Sequence, residues 1–176
     1  MDILSTLQPG SLIVVYASHA ARDEISHVSA ELALRGPVTV LDGGNRFQTY
    51  RITHLLRRCA ADINTAANRL FIQRAFTCYQ MLALLENTPT LPQPYLVLDL
   101  LSTFYDDHVK THEAHRLLDA CLQQIGRLRQ FAPVAITLGP PLSEERAFLI
   151  EKVCNLADTT FVEETPAPQA MQLALL

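Results

Sequence analysis

Three groups of residues in this chain have the types and spacing to do chemistry. His108, His112, His115 and Asp119 stand at i, i+4, i+7 and i+11, so on a helix they form one stripe. Three imidazoles and a carboxylate could hold zinc or a similar ion, but ligands on one helix rarely converge without a partner from elsewhere. A solvated polar face is the favoured reading. Six arginines, Arg46, Arg51, Arg57, Arg58, Arg69 and Arg74, fall in a stretch whose single acid is Asp62. If 46–62 is one helix, Arg46 and Arg57 share its polar side with Arg51, His54 and Arg58 beside them, opposite Ile52, Leu55 and Leu56. Arginine binds phosphate bidentately, and Tyr50 on that side could stack on a base. A solvated face that aids solubility is the equal alternative. Asp99 is the one charge in the apolar run Tyr95 to Leu100. It suits a metal or, by preference, a buried hydrogen-bond anchor.

Other nucleophile patterns are missing. No G-x-S-x-G elbow occurs, and Cys59, Cys78, Cys121 and Cys154 form no C-x-x-C pair. The cysteines read as buried free thiols.

The elements that must position these groups follow from apolar periodicity. Leu12 to Tyr16 is a continuous β-branched-rich run, the mark of a strand buried on both faces. Arg22 to Arg35 puts Ile25, Val28 and Leu32 on one helical face and ends at Gly36-Pro37. Val38 to Asp42 reads as a strand stopped by Gly43-Gly44, and Phe47 to Cys59 as a helix. Leu70 to Gln73, Tyr95 to Leu100, Pro133 to Leu138 and Thr159 to Glu163 complete the strands. Helices are expected at Tyr79 to Glu86, around Leu117 to Leu128, and at Ser143 to Ala157 with Ser143 as N-cap. Repeated β-then-α units imply an α/β fold, a mostly parallel sheet sandwiched by helices in a single domain over 1–176.

Composition agrees with a compact globule. The 176 residues are 49% hydrophobic and 18% charged, with 14 basic and 18 acidic side chains and a net charge of −4. That balance excludes intrinsic disorder and makes the chain a poor polyanion binder except through a local patch. No apolar run suits a membrane span and the first residues lack the basic start of a signal peptide, so the expectation is no membrane and a cytoplasmic protein.

In an open α/β sheet ligands bind beyond the carboxyl ends of the strands, and four such segments resemble one family. Val38 to Ile52 (VTVLDGGNRFQTYRI), Leu70 to Leu85 (LFIQRAFTCYQMLALL), Tyr95 to Phe104 (YLVLDLLSTF) and Pro133 to Gly139 (PVAITLG) are similar to the RecA-like recombinase ATPases, in particular the archaeal RadA group. The match spans roughly Gln8 to Thr160, with Asp42, Phe47, Arg51 and Ile52 in register and Asp99 at the Walker B acid. The resemblance implies that strands one and four are neighbours, which would set Asp99 within reach of the turn Ala17 to Glu24. It also implies that the chain begins at the ATPase core.

The departures from the family matter more than the matches. A phosphate loop needs glycines, a Lys and a Ser/Thr hydroxyl, but Ala17-Ser18-His19-Ala20-Ala21-Arg22-Asp23-Glu24 holds no glycine, with Asp23 at the Lys position and Glu24 at the hydroxyl. The family's water-activating Glu falls at Gly44 or Gly43, and its γ-phosphate-sensing Gln at Gly139. Ala17, Arg22, Asp23, Glu24, Gly44, Asp99 and Gly139 thus outline a degenerate nucleotide site with no catalytic residue, no cofactor and no metal. The resemblance implies a pseudo-ATPase, a RecA/RadA-like accessory subunit in DNA recombination or repair. Its expected partner is a recombinase or other repair protein, with DNA as a further ligand of Arg46, Tyr50, Arg51, Arg57 and Arg58. The alternative is an enzyme that uses the strand-end cleft for another small ligand or a metal.

Overall fold

The computed structural model describes residues 2–141 and 143–163. Met1, Leu142 and 164–176, which the single-domain expectation also covers, lie outside the described residues. In chain order the elements are α1 (Ile3–Thr6), β1 (Leu12–Tyr16), α2 (Arg22–Arg35), β2 (Val38–Asp42), α3 (Thr49–Cys59), α4 (Ile63–Ala67) and β3 (Leu70–Arg74). There follow α5 (Cys78–Asn87), β4 (Tyr95–Leu98), a 3-10 turn (Leu100–Phe104), α6 (Thr111–Arg129), β5 (Val134–Leu138), a second 3-10 turn (Glu144–Arg146), α7 (Ala147–Cys154) and β6 (Thr159–Val162).

The strands form one all-parallel sheet in the order β3-β2-β4-β5-β1-β6. Connections β1 to β2 and β2 to β3 run toward one edge, and the later three run back toward the other. Right-handed crossovers then require the first helices on one face and the last on the other. That is what packs. Ile13, Val15, Val40 and Leu96 bury against Ile25, Val28, Ile52 and Leu56 of α2 and α3. Leu12, Val14, Leu41 and Val97 bury against Met81, Leu85, Leu117, Cys121 and Val153 of α5, α6 and α7. Alternate residues of β1 thus feed opposite layers, as the two-residue period demands.

Several expectations need correcting. Strands one and four are not neighbours, because β5 pairs with both of them and lies between. The third strand runs to Arg74 and not Gln73, and as β3 it is an edge with Phe71 53% exposed. The fourth strand stops at Leu98, where Asp99 turns left-handed (φ 47°, ψ 50°) into the 3-10 turn. The helix expected from Ser143 begins as a 3-10 turn, and Ser143 makes no capping hydrogen bond from its side chain. Cys59 is exposed, whereas Cys78 and Cys121 are buried, and burial pushes the Cys121 thiol up to about 12. Among the described residues no helix is long and apolar enough to cross a membrane.

Candidate functional site

Because the connections after β2 and β4 leave for opposite faces, a crevice must open at the carboxyl ends of these adjacent strands. Two buried aspartates close it. Asp42, the last residue of β2, is fully buried and accepts hydrogen bonds from the backbone N–H of Arg46 (2.9 Å) and Phe47 (3.0 Å), with Arg74 Nε at 3.3 Å. One carboxylate therefore ties the Gly43–Phe47 loop to the sheet and meets a cation from β3. Asp99 does the same one strand over. Its Oδ2 accepts from Arg46 Nε at 3.1 Å and its Oδ1 from the Gly139 N–H at 3.2 Å. Its own N–H donates to Thr137 Oγ1 at 2.8 Å, which fixes the left-handed turn.

Glycine at the flanking positions is a matter of space. A Cβ on Gly44 would lie 2.3 Å from Asp99 Oδ2 and 2.6 Å from its Cβ, and one on Gly139 would lie 3.3 Å from Oδ1. The carboxylate fills the space that side chains at 44 and 139 would need. Tyr105 seals the far side, its hydroxyl donating to the Gly139 carbonyl at 3.1 Å. Burial, and then the charge of Asp99, push the Tyr105 phenol far above its ordinary range, so it remains a neutral donor.

The turn Ala17 to Glu24 lies two strands away. Asp99 reaches the exit of β5 at Gly139, and β5 in turn holds the turn through the Leu138 carbonyl, which accepts from the Ala17 N–H at 3.1 Å. Ala20 and Ala21 adopt left-handed φ of 51° and 49°, with their methyl groups buried. The backbone keeps a shape that glycine adopts more easily, and the methyls occupy the space inside it. Asp23 and Glu24 sit in the first turn of α2, where acids favour the helix dipole. A cavity of about 310 Å³ there brings together Arg22, Asp23, Glu24, Arg51 and Glu163. Three acids face two arginines, and Arg51 is paired to Asp23. Arg22 Nε is buried with no hydrogen-bond partner among the described residues.

The arginine group divides. Arg46 precedes α3 instead of sharing its polar face, because Asp42 captures its N–H and Asp99 its guanidinium. Tyr50, Arg51, Arg57 and Arg58 do lie on α3 and are exposed. The histidine stripe is broken as well. His108 falls before α6, held by Asp106 at 2.8 Å, and His112 is exposed. His115 and Asp119 both face Lys152 of α7, at 3.1 Å and 2.5 Å. A lysine ammonium stands where an ion would need to be, and among the described residues no three His, Cys, Asp or Glu side chains gather as a metal site.

Sequence reasoning missed Thr137 and Tyr105, whose roles depend on partners 38 and 34 residues away. No protein-family model matches the chain, and no curated protein matches it.

Proposed function

We propose that this chain is a RecA-like domain that has lost nucleotide chemistry and works by binding, as an accessory subunit in DNA recombination or repair. The observation that carries the reading is the closure of Asp99. A magnesium-linked acid must offer free lone pairs to the ion's shell, and here Arg46 and the Gly139 N–H hold both oxygens. An ion would have to displace a guanidinium from a carboxylate whose side chain is only 4% exposed. Separating a buried ion pair costs about 3–5 kcal/mol, less here because Arg46 is 39% exposed.

The loop supports the same reading. Asp23 and Glu24 flank the place of a triphosphate, and each like-charge contact at 4 Å costs about 1–4 kcal/mol. The parallel sheet with helices on both faces suits a RecA-like core, and exposed arginines on α3 supply a surface for binding.

Calorimetry with Mg-ATP tests the loss of nucleotide chemistry: no heat of binding is expected, and a micromolar dissociation constant would sink it. The accessory role is tested by adding the protein to strand exchange by a RecA-type recombinase. The rate should change in proportion to added protein, and an unchanged rate with no complex by size exclusion would refute that role.

A further inference from the structure

We propose that the groove between α2 and α3 is covered by this chain's own segment 164–176, which leaves β6 at the groove's mouth and lays Met171, Leu173 and Leu175 against its apolar floor. The proposal needs only this groove and stands apart from the accessory reading above. Three open cavities run end to end along the two helices. The first, of about 310 Å³, lies at the first turn of α2 and is lined by Arg22, Asp23, Arg51 and Glu163. It shares Asp23 and Arg51 with the second, of about 250 Å³. That one shares His27 and Leu55 with the third, of about 300 Å³, where Ala30, Leu34, Leu55 and Leu56 form the floor. Residue numbers rise together on both walls, so the groove runs one way, from the first turn of α2 to the last turns of α2 and α3. Glu163 fixes where the chain meets it, because its N–H donates to the Tyr16 carbonyl at 2.9 Å, beside the start of that path.

Length and charge both suit this occupant. From Asp23 to Leu34 the helical rise is about 16 Å. Residues 164–170 include Pro166 and Pro168 and extend to about 22 Å, so Met171 arrives at the apolar cavity. Glu164 is the single charge in the segment, and it follows Glu163 at the mouth. Arg22 lines that mouth and forms no ion pair among the described residues. Farther along, the α2 lip carries Asp23 and Glu31, already matched by Arg51 and, at 4.0 Å, by Arg35. An acidic peptide or a nucleic-acid strand would carry negative charge past both acids, whereas 165–176 carries no charge at all. Met171, Leu173 and Leu175 alternate, so in an extended chain all three turn to one side. An apolar peptide from solution would compete with a tethered segment whose effective concentration is on the order of millimolar.

Cys59 lines the apolar cavity and is exposed, which makes it a reporter already in place. In the full chain carrying Leu173→Cys, mild oxidation with diamide should join Cys59 to the introduced thiol within one molecule, at a rate independent of protein concentration. Adding Met171→Asp and Leu175→Asp should slow that bond roughly tenfold or more, since each removes an apolar side chain from the groove. Thr165→Cys should give no such bond, because two residues beyond Glu163 reach only about 7 Å. With no cysteine introduced, the same pair of aspartates should shift the methyl resonances of Leu34 and Leu55. Unmoved resonances, or equal rates with and without the aspartates, would overturn the proposal, for then the segment meets Cys59 only by chance. A bond to Cys154 of α7 would overturn it by placing the segment on the opposite face of the sheet. A disulfide-linked dimer whose yield rises with concentration would do so by assigning the groove to a second copy.

Discussion

Asp99 and Gly44 compete for one space: a methyl group on residue 44 would sit 2.3 Å from the Asp99 carboxylate. The clash comes from neighbouring atoms and not from backbone conformation, so it is relieved only by removing the whole Asp99 side chain, whose Cβ alone would lie 2.6 Å away. Gly44→Ala should destabilise the fold by about 1–3 kcal/mol, the usual cost of overpacking. In the Asp99→Gly background, which also removes that Cβ and suits the left-handed φ of 47°, the same change should cost at least about 1 kcal/mol less, a coupling that denaturant midpoints of the four proteins in the cycle would measure. Strict additivity would mean that Gly44 does not owe its identity to Asp99.

Thr137 is fully buried, and its hydroxyl oxygen accepts the hydrogen bond of the Asp99 N–H. Thr137→Val keeps the shape and leaves that donor without a partner. A loss of about 1–3 kcal/mol is expected, together with faster hydrogen exchange at the Asp99 amide. Wild-type exchange in the valine variant would show that the left-handed turn holds without the hydroxyl.

The parallel sheet was legible because β1, β2, β4 and β5 are short apolar runs separated by helical periods, and burial on both faces leaves little ambiguity. What could not be read was the strand order. The gap between β1 and β4 is filled by a strand that comes later in the chain, and nothing local to Leu12–Tyr16 announces it. α4 escaped notice although Asp62 caps it, accepting from the N–H groups of Asn64 and Thr65, since five residues carry too little periodicity. Within the site, Asp99, whose two oxygens both accept hydrogen bonds, was legible as a lone acid within an apolar run. Its partner Arg46 was not, because the same arginine fits equally well at the start of an amphipathic helix until Asp42 is seen to hold the loop.

Asp158 joins the start of β1 to α6: it accepts from the Leu12 N–H at 2.7 Å and pairs with Arg129 at 2.8 Å. The backbone hydrogen bond, and next the Arg129 guanidinium, hold its carboxyl below the ordinary aspartate range. A carboxylate lowered in the folded state stabilises the protein above its unfolded value, and that contribution fades as the pH falls through the folded value. Asp158→Asn should therefore lower stability at neutral pH and flatten the acid side of the stability profile. The side chain is 48% exposed, so solvent screening keeps the effect small. An acid limb as steep as in wild type would assign the acid sensitivity to other carboxylates.

Asp23→Lys supplies the one side chain most associated with phosphate loops, and it should not confer ATP binding. Lysine at 23 removes one repulsion but leaves Glu24 beside it, and Ala20 and Ala21 still bury methyl groups where the loop backbone would have to wrap phosphates. It also breaks the pair between Asp23 and Arg51, setting two cations side by side across the α2 to α3 contact. That surface pair is well exposed, so the loss of stability should stay within about 1 kcal/mol. Asp99 is unaffected by the change, because its partners Arg46 and Gly139 lie on other elements, and magnesium still lacks a free acid. Calorimetry of the variant with Mg-ATP should give no heat of binding. Micromolar affinity from this single substitution would show that charge at position 23 alone excludes the nucleotide, and that the closure of Asp99 by Arg46 opens when a phosphate arrives.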